Sequence, residues 1–219
     1  MKKQIIFDMD GVIFDTEKLV LSCWSIIAEK YGIPHIEETF RRVIGVSSEG
    51  TNQIVREVYG EEFDYESFRK ECRGLFARKI AQTGMPMKPG ARELLSFLKI
   101  NGYRIGLASS TSYDTVVNEL TQAGLVGFFE VIIGGDMVER SKPEPDIYLR
   151  ACEAMNLIPK ETFAVEDSWN GVRSAATAGL RVLHVPDLLE PGEEMEKLSF
   201  GIFEDLIDVR NYLAKEMLP

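Results

Sequence analysis

The sequence predicts an α/β fold: a Rossmann-like parallel sheet flanked by helices, with an all-helical domain inserted after the first strand. Three observations predict it. Ile5, Ile6 and Phe7 form an apolar run that does not alternate with polar residues, so it reads as a strand buried on both faces. Residues 16–84 carry helical periodicity and no convincing strand. From residue 91 strands and helices alternate, which implies a parallel sheet with helical crossovers. Residues 1–15 and 86–219 are therefore expected to form the α/β core and residues 16–85 the helical domain, and 219 residues suffice for two unequal domains.

The first strand runs into Asp8 and Asp10, a turn at Gly11, and then Asp15 and Thr16. In the helix that follows, Leu19, Cys23, Ile26, Ile27 and Tyr31 recur at helical spacing and are expected inward, with Lys18, Ser22, Ser25 and Glu29 outward. Gly32 and Pro34 end it. Further helical stretches are expected at 35–44, 49–59 and 64–82, divided by Gly45, Gly60 and the Glu61-Glu62 pair. Two prolines and two glycines between Gly84 and Gly90 break any regular element and mark the return to the core. A helix over 91–99 turns Leu94, Leu95 and Leu98 inward and stops at Asn101-Gly102. Strands are expected at 103–108, 130–133, 162–165 and 181–185, with helices near 112–123, 145–155 and 170–178. Gly124 and Gly179 stand where helix C-caps belong, and Ser112 and Pro145 where helices start. A strand near 200–203 and a helix near 205–215 complete the core.

Bulk composition narrows the partners. A net charge of -10 argues against nucleic-acid backbones and anionic membrane surfaces, which are bound by clustered Lys and Arg. No apolar run approaches the roughly 20 residues needed to span a bilayer, and Met1-Lys2-Lys3 leads straight into the first strand, so a cytoplasmic protein is expected. Cys23, Cys72 and Cys152 are far apart and odd in number, which suggests neither a disulfide framework nor a zinc site. The only histidines, His35 and His184, are too few for a histidine-based metal centre or a Ser-His-Asp triad.

In a parallel sheet every strand ends on one edge, so residues distant in sequence meet there. The first strand delivers Asp8 and Asp10. The strand at 103–108 delivers Ser109, Ser110 and Thr111 just before a helix start, where hydroxyls and backbone N–H groups suit an anion. The next leads to Lys142, held between Ser141 and Pro143 as a point charge for phosphate, and the strand at 162–165 delivers Glu166 and Asp167. Taken singly, each has a plainer role: aspartates satisfying loop donors, Ser109 as an N-cap, a solvated lysine, an acidic pair favouring a helix dipole. Together they make a site. Four carboxylates on one edge would repel by about 4 kcal/mol per close pair at an effective dielectric near 20, so a divalent cation or a lysine is needed to keep them ionised. All-oxygen ligands with open positions favour Mg²⁺.

DMDGVIFDT, LASST, SKPEPDIY and VEDSWNGVRSA, in this order and structural context, resemble the four motifs of the haloacid dehalogenase superfamily, in the branch containing β-phosphoglucomutase and phosphoglycolate-type phosphatases. The resemblance spans nearly the whole chain, including the inserted helices, which it identifies as a cap. It implies that Asp8 is the nucleophile forming an aspartyl-phosphate, and that Asp10 is first acid and then base. It implies Mg²⁺ on the Asp8 side chain, the Asp10 backbone carbonyl and Asp167, with Glu166 direct or through water. Ser109, Ser110 and Lys142 would bind the transferring phosphoryl group. Gly45, Val46 and Ser47 would form a cap loop reaching the leaving group, with Glu49 or Arg42 adding contacts, although an ordinary connecting loop suits them equally. The cap would close as a lid, with hinges near 14–17 and 82–89.

Within the superfamily, the acid at Asp10 favours phosphoryl transfer over dehalogenation. The lack of a lysine between Tyr31 and Arg69 disfavours phosphonate cleavage. Val20 and Ser48 stand where the mutase has a histidine and an arginine, which places mutase activity in doubt. The expectation is a Mg²⁺-dependent phosphatase of a small phosphorylated metabolite, with a sugar phosphate favoured, acting as a monomer or weak homo-oligomer. The alternatives are a phosphosugar mutase or, in a different class, a phosphorylatable receiver-like signalling module.

Overall fold

The computed structural model describes residues 3–44, 46 and 48–216. The chain divides into two compact units, one of Met1–Asp15 with Met87–Pro219 and one of Thr16–Pro86. After β1 (Gln4–Phe7) the chain enters the second unit, which consists of α1 (Thr16–Tyr31), α2 (Ile36–Val43), α3 (Ser48–Tyr59) and α4 (Tyr65–Thr83). Trp24 sits at its centre, with the Phe40 and Phe68 rings both 5.2 Å away and edge-on. The buried stripe of α1 is Thr16, Cys23, Trp24, Ile27 and Ala28, which corrects the expected face: Ile26 is 43% and Tyr31 53% exposed. Trp24 offers the largest apolar surface of the helix, and burying it turns the stripe by about one residue. Tyr31 and Lys30 instead bond the Glu71 carboxylate of α4. At the start of α4, Asp64 caps the helix by accepting the Ser67 backbone N–H at 3.0 Å.

The other unit holds β2 (Arg104–Ala108), β3 (Val131–Ile133), β4 (Phe163–Glu166), β5 (Arg181–His184) and β6 (Gly201–Ile202), joined with β1 in one parallel sheet of order β3-β2-β1-β4-β5-β6. Its helices are α5 (Ala91–Ile100), α6 (Tyr113–Gln122), α7 (Asp146–Ala154), α8 (Trp169–Thr177), α9 (Glu193–Leu198) and α10 (Leu206–Lys215). β1 lies centrally, with Ile6 paired to Gly106 on one side and Ala164 on the other, and all four of its residues are buried. That burial is why its sequence does not alternate. Ile6, Ala164 and Val182 pack with Ile147, Tyr148 and Ala151 of α7 and Val172 and Ala175 of α8 in one core cluster.

The expected elements lie within one or two residues of the observed ones, apart from α9, which the sequence reading did not anticipate. Its six residues bury only Met195, too little for a recognisable periodicity. Gly124 and Gly179 follow the ends of α6 and α8 with φ of 66° and 86°. Among the described residues no helix is long and apolar enough to cross a membrane.

Candidate active site

The strand order places the site. The chain leaves β1 toward β2 and β3, then crosses back to β4, so β1 and β4 flank a topological switch point, where open α/β sheets form their ligand crevice. Asp8 follows β1 and donates its backbone N–H to the Val165 carbonyl of β4 at 3.0 Å. Glu166 ends β4 and Asp167 follows it. Carboxylate oxygens of Asp8, Glu166 and Asp167 lie within 4.8 Å of one another, and all three residues are buried.

Lys142 ties this group together. Its ammonium donates to Asp8 Oδ1 at 2.5 Å, to Glu166 Oε1 at 2.6 Å and to the Ala108 carbonyl at 3.2 Å, with only 7% of the side chain exposed. Tyr148, fully buried, donates to the same Glu166 oxygen at 2.6 Å and places its ring 5.1 Å from the Lys142 nitrogen. Glu166 Oε2 accepts from the Asp167 N–H at 3.2 Å and the Ser168 hydroxyl at 3.3 Å. Both oxygens of Glu166 are thus engaged by protein donors. Ser168 in turn caps α8 through the Gly171 N–H.

Burial pushes the Asp8 carboxyl up to about 8, with Lys142 pulling it down and Glu166 and Asp10 raising it further. Burial works against the Lys142 charge, but Asp8 and Glu166 outweigh it and hold the lysine above its ordinary value. Burial also raises the Tyr148 phenol, so Tyr148 stays a donor to Glu166.

Asp10 belongs to a second cluster. Its Oδ2 accepts from the Thr111 hydroxyl at 2.9 Å and from Ser109 Oγ at 3.4 Å, while Ser109 Oγ accepts the Thr111 N–H at 3.0 Å. Ser109 is fully buried and does not cap a helix; Ser112 occupies the N-cap of α6. Ser110 is exposed, and its hydroxyl makes no hydrogen bond among the described residues. The structure therefore brings Asp8, Glu166, Asp167 and Lys142 into one cluster, and Asp10, Ser109 and Thr111 into another. The Asp10 carboxylate is not among the three clustered acids.

Two glycines make room for the acids. Gly11 has φ of 79°, and a Cβ there would lie 2.0 Å from Asp167 Oδ2. A Cβ on Gly171 would lie 2.0 Å from the Glu166 carboxylate. One ammonium does not balance three buried carboxyl groups, which is why Asp8 is raised; a divalent cation would lower it again, and the donors are all hard oxygens. This set fits a divalent cation of the Mg²⁺ type.

In the helical unit, Gly45 and Ser47 lie outside the described residues. Val46 is 38% exposed, Glu49 is exposed, and Arg42 pairs with Glu57 at 3.8 Å.

Sequence reasoning missed three residues. The sequence marks Thr111 as a hydroxyl without naming its partner Asp10, and Tyr148 only as the last residue of SKPEPDIY. His184, fully buried, places Nε2 3.2 Å from the Asp167 carbonyl, and burial lowers its pKa. Its place at the end of a strand beside the acid-bearing one, paired with Glu166, is the signal that could have found it.

The family model for haloacid dehalogenase-like hydrolases matches residues 5–185. The chain belongs to this family. Among its relatives, the phosphorylated carbohydrates phosphatase of Thermotoga maritima is 34% identical over 192 residues, covering 87% of this chain and 88% of that protein. The β-phosphoglucomutase of Bacillus subtilis is 31% identical over 186 residues, covering 81% and 80% respectively. Among solved structures, this haloacid dehalogenase-like hydrolase aligns with CbbY of Rhodobacter sphaeroides in complex with phosphate at a TM-score of 0.71 and 25% identity, over 95% of this chain and 96% of that one.

Proposed function

We propose that the chain is a Mg²⁺-dependent phosphatase of a small phosphorylated metabolite, with a sugar phosphate as the favoured class. The observation that carries this reading is the buried Lys142 ammonium bonding both Asp8 and Glu166 beside Asp167. That grouping supplies a nucleophile, a fixed cation and a set of hard oxygen donors at one strand edge. The name of the Thermotoga maritima relative supports carbohydrate phosphates as substrates.

In this reading an Asp8 oxygen attacks phosphorus in line with the leaving oxygen. The P–O bond to the leaving group breaks as Asp10 gives that oxygen a proton. Asp10, now ionised, takes a proton from the water that attacks the aspartyl-phosphate, the P–O bond to Asp8 breaks, and inorganic phosphate departs. Thr111 and Ser109 hold the Asp10 carboxyl in place for both transfers. Lys142 balances charge on Asp8 and on the phosphoryl oxygens. Bound Mg²⁺, held by Asp8 and Asp167 with Glu166 and the Asp10 carbonyl beside them, would supply the charge that lets an anionic nucleophile approach an anionic phosphate.

The mutase reading shares these chemical steps up to the fate of the phosphoryl group, and the Bacillus subtilis relative keeps it in view. Val20 and Ser48, where the mutase is expected to carry a histidine and an arginine, favour transfer to water. The test is phosphate release from a panel of sugar and short-acid phosphates, with Mg²⁺ and with EDTA, while the remaining sugar phosphate is assayed for isomers. Mg²⁺-dependent phosphate release is expected. Accumulation of an isomer without phosphate loss would transfer the assignment to the mutase, and at most one slow turnover would indicate a receiver-like module.

A further inference from the structure

The helical unit contains a cavity of about 410 Å³, lined entirely by its own residues. This is within the range of small-molecule sites, roughly 300–1,000 Å³. The lining follows from helical periodicity: α1 presents Val20, Cys23 and Trp24, and α4 presents residues 65, 69, 72, 73 and 76, all on one face. Trp24, Phe40, Tyr65 and Phe76 give the cavity an aromatic wall. Its polar groups include Glu17 and Thr51 and two guanidiniums one turn apart on α4, Arg69 and Arg73, so the charged side chains of the lining carry one net positive charge.

Arg69 approaches Glu66 at 3.9 Å, whereas Arg73 forms no ion pair or hydrogen bond among the described residues. Aromatic faces favour a flat apolar body over a polyol, whose hydroxyls would lose water without gaining partners there. A guanidinium beside such a wall favours a carboxylate or phosphate, which it can bind through two parallel hydrogen bonds.

We infer that this cavity binds a small molecule with a planar apolar ring system and an anionic substituent, the ring against the aromatic wall and the anion against Arg73 and Arg69. Such a ligand has two sources: the ring-bearing part of the enzyme's own substrate, or a separate molecule that is not turned over. The first rests on the phosphatase reading; the binding itself does not.

Calorimetric titration of the full chain with 1-naphthoate and with gluconate, both monocarboxylates, tests the binding directly. Naphthoate is expected to bind and gluconate to bind at least roughly tenfold more weakly. Arg73→Met, at an exposed position, is expected to weaken naphthoate by roughly tenfold or more while leaving the melting temperature unchanged. Val20→Phe, which narrows the cavity from the α1 side, is expected to weaken the binding by roughly tenfold or more. Absence of naphthoate binding, equal binding of gluconate, or indifference to either substitution overturns the inference. A second arm separates the sources. Hydrolysis of a 1-naphthyl phosphate that carries a separate ring carboxylate, with a KM well below that for glucose 6-phosphate and competitive inhibition by naphthoate, identifies the occupant as part of the substrate and moves the favoured substrate class from sugar phosphates to aryl phosphates. Naphthoate binding without competition identifies a separate ligand. If no phosphomonoester is turned over, the phosphatase reading fails and the titration still decides the cavity.

Discussion

Lys142 is the residue on which the local electrostatics turn, because its ammonium bonds two buried carboxylates, Asp8 and Glu166. Lys142→Met leaves Asp8 and Glu166 buried without their cation, and breaking a buried pair from one side costs about 3–5 kcal/mol. That loss is expected in urea denaturation of the metal-free protein, far above the 0–1 kcal/mol of an exposed pair. Glu119 on α6 offers a second test of the electrostatics. Burial and then the Asp10 charge raise its carboxyl from 4.5 to about 7. The folded chain therefore keeps a proton that the unfolded chain has already released. Glu119 thus lowers stability progressively as pH rises from about 4.5 to 7, and the loss is complete above that window. Glu119→Gln is expected to flatten the stability profile across those pH values, as read by denaturation midpoints; an unchanged slope would contradict the assigned cause. Asp8, Asp10, Lys142, Glu166 and Asp167 stood out in the sequence because charged groups at strand ends are chemically conspicuous. Thr111, Tyr148 and His184 were not legible as partners, because a hydroxyl, a phenol or a lone buried imidazole gains meaning only from what it touches.

At the scale of elements, α8 shows how a helix serves the site. Ser168 caps it while donating to Glu166, and Gly171 in its first turn leaves room for that carboxylate. Helix propensity alone predicts that Gly171→Ala stabilises the chain by about 1 kcal/mol. The close approach predicts the opposite sign, because a Cβ placed 2.0 Å from the Glu166 carboxylate must displace it, and overpacking costs about 1–3 kcal/mol. A lower denaturation midpoint is therefore expected for Gly171→Ala, and a higher one would show that Glu166 is free to move away. Elements with strong periodicity or clear stop signals, such as α5 and the buried β1, were legible from sequence. The buried stripe of α1 was not, because periodicity allows neighbouring stripes and the packing of Trp24 selects one of them. The short α9 lay below what any pattern resolves.

Across the whole molecule, the parallel sheet brings residue 8, residue 142 and residues 166–167 to one edge, although Asp8 and Lys142, bonded to each other there, are 134 residues apart. Alternating strands and helices made the parallel sheet predictable, and with it the shared edge. The hydrogen-bond partners at that edge were not predictable, since they depend on the strand order on either side of β1 and on side-chain geometry. The substrate was equally illegible, because nothing in the strand-end motifs describes the group that leaves. The central claim is that Asp8 takes up the phosphoryl group. Rapid quenching during turnover, followed by borohydride reduction and peptide mass spectrometry, tests it most directly, because reduction converts an aspartyl-phosphate to homoserine. Homoserine at position 8 alone, dependent on both substrate and Mg²⁺, is the predicted result; turnover that leaves Asp8 unmodified while another side chain carries the phosphoryl group would contradict it.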